Sequence, residues 1–448
     1  MSLIDLKLRQ HRQVVLADRA EQRLFVSLML RPSTSMTFDR SNVTLSVVVD
    51  QSGSMMDRSG VGHLTRIGVV QEALRASLLN GRLGPSDRVS ISGFNDRAIE
   101  HIDLVSASNV SEIAAAIDQL RNCHGSTYVA EGLGLAVTHL SGTRTGVRRV
   151  VLLTDGAAYD ADAAKEVAVQ LGEIGVPITA IGVGSDWNME LLGAFAEASH
   201  GTLIHVIPDS DPPFPPSLRL SELPDAITQQ IRQAEAEVVT DLQLFTDLAP
   251  GVTVRRVTRV LPTINESVSD SQGRWSMGNV ARQQGAAFIL EIGLDAFAPQ
   301  GPSNLGKIFV SNNDASGNAA PVAVSEPLVL AFTTNASEAS VIDHEVQQLV
   351  QQRNLDAIVQ QAAEAIAKKQ VDAAKEALGA ATRIAQGVGN SAMTVVLNRA
   401  LGELNDGKTV AANLLHSAQV GARTKTVNVG DGWLTGLTDE EIRRITGV

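Results

Sequence analysis

The chain has one cysteine, Cys123, in 448 residues. No disulfide can form within it, so its stability must come from packing. Aromatic side chains are also scarce, at 3%, which leaves Val, Leu, Ile and Ala to build the cores. Basic charge is in deficit: 37 Lys and Arg face 49 Asp and Glu, a formal net charge of −12. A surface of that sign disfavours nonspecific attraction to nucleic acid or to anionic lipid. No apolar run approaches the roughly 18 residues of a membrane helix. The opening segment, MSLIDLKLRQHRQ, lacks the apolar centre of a signal peptide. Without cysteine pairs or such segments, the expectation is a cytoplasmic protein that engages neither membrane nor nucleic acid.

What remains is an ordinary globular composition, 44% hydrophobic and 19% charged. At about 100–200 residues per domain, the length calls for two to four domains. Residues 12–31 read as two strands around a polar turn, with Pro32 ending the second. From 43 to 206 the pattern alternates. Strands are expected at 43–49, 88–94, 99–104, 147–153, 177–183 and 202–207, and helices near 65–79, 109–120, 128–139, 160–171 and 189–198. Short β-branched runs between helices predict an α/β, doubly wound, mostly parallel sheet covered on both faces.

A proline cluster, Pro208, Pro212, Pro213, Pro215 and Pro216, then reads as a linker. A helix is expected over 221–235. Short strands separated by turn signals over 238–333 predict an antiparallel sandwich. The Ala-rich stripes Leu355, Ile358, Val359, Ala362, Ile366 and Val371, Ala374, Leu378, Ala381, Ile384 predict a helical hairpin. The expected units are 1–40, the first sandwich strands; 41–207, the α/β domain; 208–237, linker and helix; 238–336, sandwich; 337–422, α-helical domain; and 423–448, tail.

Five residues carry chemistry. Asp50 ends the buried strand VTLSVVV, and Ser52 and Ser54 follow it in a turn that Gly53 keeps tight. Asp155 ends the apolar strand VVLLT, and Thr127 lies in the loop HGST just before a helix. All five therefore sit at a strand's C-terminal end or a helix start, where open α/β sheets bind ligands. Two carboxylates and three hydroxyls form an all-oxygen set, which suits a hard cation, Mg2+ or Mn2+, and neither zinc nor copper. Any of these residues alone would be an ordinary turn or helix cap. It is the ordered set that points to metal.

The strings DQSGSM, GST and LLTDG resemble the metal-ion-dependent adhesion site of von Willebrand factor type A (VWA) domains. The resemblance spans 41–207 and matches all five positions in order. It is nearest the intracellular bacterial type, in which the domain sits within a β-sandwich and C-terminal helices follow. It implies direct ligation by Ser52, Ser54 and, in one state, Thr127, with Asp50 and Asp155 acting largely through water. It also implies a non-enzymatic interaction module whose cation captures an acidic residue of a partner protein. Two further readings compete with it: a scaffold or helper subunit of a larger machine, and a Mg2+-dependent phosphoryl hydrolase. The hydrolase reading is opposed by Ser52, which stands where a catalytic acid would be needed.

Weaker signals are expected to be inert. The segment GELNDGKT from Gly402 to Thr409 matches a P-loop string, but it follows helical spacing and carries Glu403 and Asp406. Gly132-x-Gly134 and Gly182-x-Gly184 lack the third glycine of a dinucleotide fingerprint. Cys123, His124 and His63 read as loop residues. Thr424 and Thr426, in the tail TKTVNVG, are candidate phosphorylation sites for a phosphothreonine-reading partner such as a forkhead-associated module.

Overall fold

The computed structural model describes residues 4–423, apart from 18, 20, 34–38, 144–145, 157, 185–186, 212–215, 283, 296–300 and 315–321. The chain begins with β1 (Ile4–Gln10), β2 (Val14–Leu16) and β3 (Gln22–Pro32). The expected pair of strands is present, and β1 is an additional strand within the polar opening segment. Its sequence, IDLKLRQ, alternates Ile4, Leu6 and Leu8 with polar residues, a strand period within a segment otherwise notable for its polarity, and these three pack in the sandwich core.

The α/β unit follows: β4 (Val43–Asp50), α1 (Arg66–Leu78), β5 (Arg88–Phe94), β6 (Ala98–Ser106), α2 (Val110–Gln119), α3 (Val129–Ser141), β7 (Val147–Thr154), α4 (Ala161–Glu173), β8 (Ile178–Val183), α5 (Met189–Ala198), β9 (Thr202–Ile207), β10 (Leu218–Arg219) and α6 (Leu223–Ala236). The sheet order is β10-β9-β8-β7-β4-β5-β6, with every pair parallel except β5 and β6. Every residue of β4 is buried, as a central strand between two helical layers requires. Val43, Leu45, Val47 and Val49 join the core under α1, α2 and α6, while Val48 joins the opposite core under α3, α4 and α5. Helix α6, beyond the proline cluster, buries Leu223, Ile227, Ile231 and Ala234 in the first of these cores. The linker thus delivers the last helix of this unit.

The sandwich comprises β11 (Glu237–Leu248), β12 (Val252–Leu261), β13 (Asn265–Ser267), β14 (Trp275–Ala281), β15 (Ala286–Leu294), β16 (Gly301–Asp314) and β17 (Val322–Thr333). Its sheets run β1-β3-β15-β12-β13 and β14-β11-β16-β17-β2. The α/β unit is therefore inserted after the third strand of a sandwich. A network of polar groups joins the two. Arg149 of β7 pairs with Glu237 of β11, whose other oxygen accepts a hydrogen bond from Asn279 Nδ2 at 2.7 Å.

The helical unit is larger than a hairpin. After α7 (Ala336–Ala339) come α8 (His344–Ala367), α9 (Val371–Gly387), α10 (Ser391–Asn405) and α11 (Ala412–Arg423). The two Ala-rich stripes are α8 and α9, packed with Met393, Val396 and Leu397 of α10 and Leu414 and Ala418 of α11. Helix α11 returns to the α/β unit, where Val420 enters the core of α3–α5 and Ser417 Oγ lies 2.6 Å from Ser217 Oγ. Among the described residues, no helix is long and apolar enough to cross a membrane.

Candidate functional site

The sheet order reverses between β4 and β7, because the chain moves from β4 outward to β5 and later returns to place β7 on the other flank. The crevice beyond the C-terminal ends of these two strands is where this architecture places its ligands. Asp50 is the last residue of β4 and is fully buried. Its Oδ1 accepts the Ser52 backbone N–H at 2.8 Å, and its Oδ2 accepts the Thr154 hydroxyl at 2.6 Å. Burial pushes the Asp50 carboxyl up to about 6; the Ser52 and Thr154 hydrogen bonds oppose this, and the neighbouring Asp155 charge adds to it.

Asp155 follows β7 and is equally buried. Its Oδ1 accepts the Ser54 hydroxyl at 2.8 Å, and its Oδ2 accepts Arg66 Nη1 at 2.6 Å. Ser52 Oγ and Ser54 Oγ lie 3.1 Å apart. A short 3-10 turn, Gly53–Met56, presents these hydroxyls, and the Gly53 N–H donates to the Gly125 carbonyl at 3.2 Å. That bond ties the Asp50 loop to the loop carrying Thr127. Thr127 is buried, and its carbonyl accepts the Tyr159 N–H at 2.9 Å. A Cβ at Gly156 would stand 3.3 Å from Thr127 Oγ1, so glycine permits that hydroxyl to sit close against the Asp155 turn. The five residues singled out in the sequence therefore converge on one crevice from three loops.

The arrangement can be tested for fit to a small octahedral cation. Mg2+ binds oxygens at 2.0–2.1 Å, so two ligands at right angles about it stand roughly 3.0 Å apart. The Ser52–Ser54 separation of 3.1 Å has that spacing. All four carboxylate oxygens of Asp50 and Asp155 already accept protein hydrogen bonds. Ser54 spends its proton on Asp155, which leaves its lone pairs available. The residues present thus fit a hard cation held by an all-oxygen set.

Sequence reasoning missed two members of this constellation. The apolar run marks Thr154 only as the end of a strand. Arg66 is the first residue of α1, just after the N-cap Thr65. A cation at a helix N-terminus opposes the helix dipole, and that misplacement is the signal that Arg66 answers to something else.

The remaining candidates fall outside the chemistry. Cys123 is half-buried, and its thiol is pushed up to about 12 by burial and then by the Asp50 and Asp155 charges, so it is no thiolate. His124 and His63 are exposed loop residues. A Cβ at Gly132 would stand 2.6 Å from Phe94, and one at Gly182 would stand 2.2 Å from the Trp187 indole, so both glycines serve packing. Gly184 has φ +92°, a turn conformation. Gly402 lies inside α10 with no strand before it, which removes the P-loop context. Thr424 and Thr426 lie outside the described residues.

Residues 45–213 match the family model for the von Willebrand factor type A domain. A protein from Catenulispora acidiphila described as von Willebrand factor type A superposes with a TM-score of 0.78 at 18% identity, covering 95% of this chain and 97% of that one. The ArnB paralog VWA2 from Sulfolobus acidocaldarius gives 0.62 at 14% identity, covering 94% and 98%. Those likenesses extend over the sandwich and helices as well as the inserted domain, and they concern the fold. An uncharacterised protein of Synechocystis sp. is 25% identical over 69% of this chain and 71% of its own length.

Proposed function

The chain contains a von Willebrand factor type A domain, and from that premise we propose that it is a cation-dependent protein-binding module rather than an enzyme. Domains of this family generally serve protein–protein interaction. In our reading the ion is Mg2+ or Mn2+. Ser52 and Ser54 hold it directly, Thr127 does so in one state, and Asp50 and Asp155 act through water. When bound, the ion supplies an electron-poor acceptor for one more oxygen ligand, a carboxylate of the partner.

The observation that carries this reading is the convergence of two buried carboxylates and three hydroxyls on one crevice. Asp155 gives one oxygen to Ser54 and the other to Arg66, and Asp50 gives its two to Ser52 and Thr154. These bonds orient the carboxylates while leaving each oxygen a lone pair; the division into direct hydroxyl ligands and water-bridged carboxylates is taken from the family resemblance. Charge accounting supports the same conclusion. Two carboxylates and the Arg66 guanidinium sum to −1, and a divalent cation turns that into +1. A site of net positive charge favours an acidic partner. The competing phosphoryl hydrolase of the Asp-x-Asp type would need a second Asp where Ser52 stands, so in our reading the loop holds a partner.

The test is capture from extract of the native cell, with Mg2+ or with EDTA, using wild type and Asp50→Ala. The proposal expects a partner retained only by wild type with Mg2+. A partner retained equally under all four conditions would contradict it.

A further inference from the structure

The chain contains two tyrosines in all, and both stand at the rim of this one crevice. Tyr128 and Tyr159 stack on each other with ring centroids 5.9 Å apart and planes 24° from parallel. Tyr159 is 75% exposed and Tyr128 37%. Neither backbone is loose. The Tyr128 N–H donates to the Asn95 carbonyl at 3.0 Å, and the Tyr159 N–H donates to the Thr127 carbonyl at 2.9 Å. Between them, Asp160 caps α3 through the Val129 and Ala130 N–H groups at 2.9 and 2.8 Å. Met56, 49% exposed, closes the 3-10 turn that carries Ser54.

Aromatic rings and methionine are the side chains enriched in the energetic centres of protein interfaces. In a chain this poor in aromatics, an exposed, backbone-pinned pair beside Thr127 makes no contribution to a core. From this we infer that the Tyr128–Tyr159 pair is a stacking platform, and that the partner is a protein segment carrying an aromatic side chain on the same face as its acidic residue. This rests on the cation-dependent reading above. The positive balance of the loaded crevice selects the acid. The ring pair, one residue along from Thr127, selects a flat neighbour on the same face. In an extended segment residues two apart share a face, so the probe carries Phe two positions to either side of its Glu.

Two tyrosines also make the test direct. Protein labelled with 3-fluorotyrosine gives two 19F resonances, assigned by Tyr128→Phe and Tyr159→Phe. The probes are acetyl-Phe-Gly-Glu-Gly-Phe-amide, the same peptide with Ala for both Phe, and the same peptide with Gln for Glu, each titrated with Mg2+ and with EDTA. The inference expects the Phe peptide with Glu to shift both resonances in Mg2+ and to bind about five-fold tighter than its Ala counterpart, within the range of an aromatic pair. That advantage disappears in the Tyr128→Ala/Tyr159→Ala protein, which still binds Mg2+. Equal affinity of the Phe and Ala peptides, both dependent on Mg2+, overturns the platform and leaves the cation reading standing. If no peptide binds in a Mg2+-dependent way, both fall. Resonances that broaden with protein concentration alone assign the face to self-association and overturn the inference.

Discussion

Arg66 Nη1 lies 2.6 Å from Asp155 Oδ2, and Asp155 is fully shielded from solvent. The guanidinium spends its charge on a carboxylate that would otherwise face a divalent cation. Removing that positive charge leaves more negative potential for the ion. A divalent cation and a unit charge a few ångströms apart repel by about 1.4 kcal/mol even at a water-like dielectric. Arg66→Gln is therefore expected to tighten Mn2+ binding about ten-fold and to weaken capture of an acidic ligand. Calorimetric titration of Mn2+ into both proteins checks the first half; unchanged or weaker binding in the variant would show that Arg66 only positions Asp155.

Asp50 makes the cation-free protein sensitive to pH in an unusual direction. Burial raises its carboxyl from 3.8 to about 6, so its contribution to stability is complete below about pH 4 and is lost as pH rises through about 6. In EDTA, wild type should lose up to about 3 kcal/mol relative to Asp50→Asn between pH 4 and pH 7. Mg2+ should restore the loss in wild type only. Chemical denaturation of both proteins at the two pH values measures it, and parallel behaviour would refute the argument.

The contact between the α/β unit and the last helix responds to acid. His205 and His416 face each other and Trp187, with ring centroids 4.9–5.3 Å apart. Burial, then the neighbouring His416, lowers His205 to about 3, and burial also lowers His416. A lowered histidine leaves full stability above about pH 6.5 and loses it as pH falls toward the folded value. Between pH 6.5 and 4, wild type should lose stability more steeply than His205→Gln, with a change in tryptophan emission from Trp187. Identical slopes would contradict this.

Glu237 and Arg149 join the inserted domain to the sandwich as a buried pair. Breaking such a pair from one side leaves an uncompensated buried charge and costs about 3–5 kcal/mol. Glu237→Ala is expected to lower the thermal midpoint sharply, while Glu364→Ala, on the exposed pair with Lys368, should change it by less than about 1 kcal/mol equivalent. Equal effects of the two variants would show that the Arg149–Glu237 bridge does not hold the units together.

Much of this organisation could be read before any coordinates. The Val- and Leu-rich runs ending at Asp50 and at Thr154 declare central strands, and they set Asp50, Ser52, Ser54 and Asp155 at neighbouring strand ends, while Thr127 comes from a separate loop. The sandwich followed from its alternating strands, except for β1, β13 and β14. β13 is only three residues long, and β14 mixes buried Met277 with small and polar neighbours, so neither carries a clear period. Helix α10 is legible in the helical spacing of Met393, Val396, Leu397 and Ala400, whereas α11 lies outside the hairpin expectation and packs on α8, far from it in sequence. Arg66 and the tyrosine pair were invisible for the same reason: Asp155 is 89 positions from Arg66. No local pattern reports which side chain a distant loop will meet.

The central claim is that Asp50, Ser52, Ser54, Thr127 and Asp155 form one site for a hard divalent cation. Electron paramagnetic resonance of free Mn2+ tests it most directly. Wild type should quench one equivalent of the free-ion signal, Mg2+ should restore that signal in competition, and Asp50→Ala should quench none. A wild-type protein that leaves the Mn2+ signal intact, or an Asp50→Ala protein that quenches it equally, would contradict the assignment.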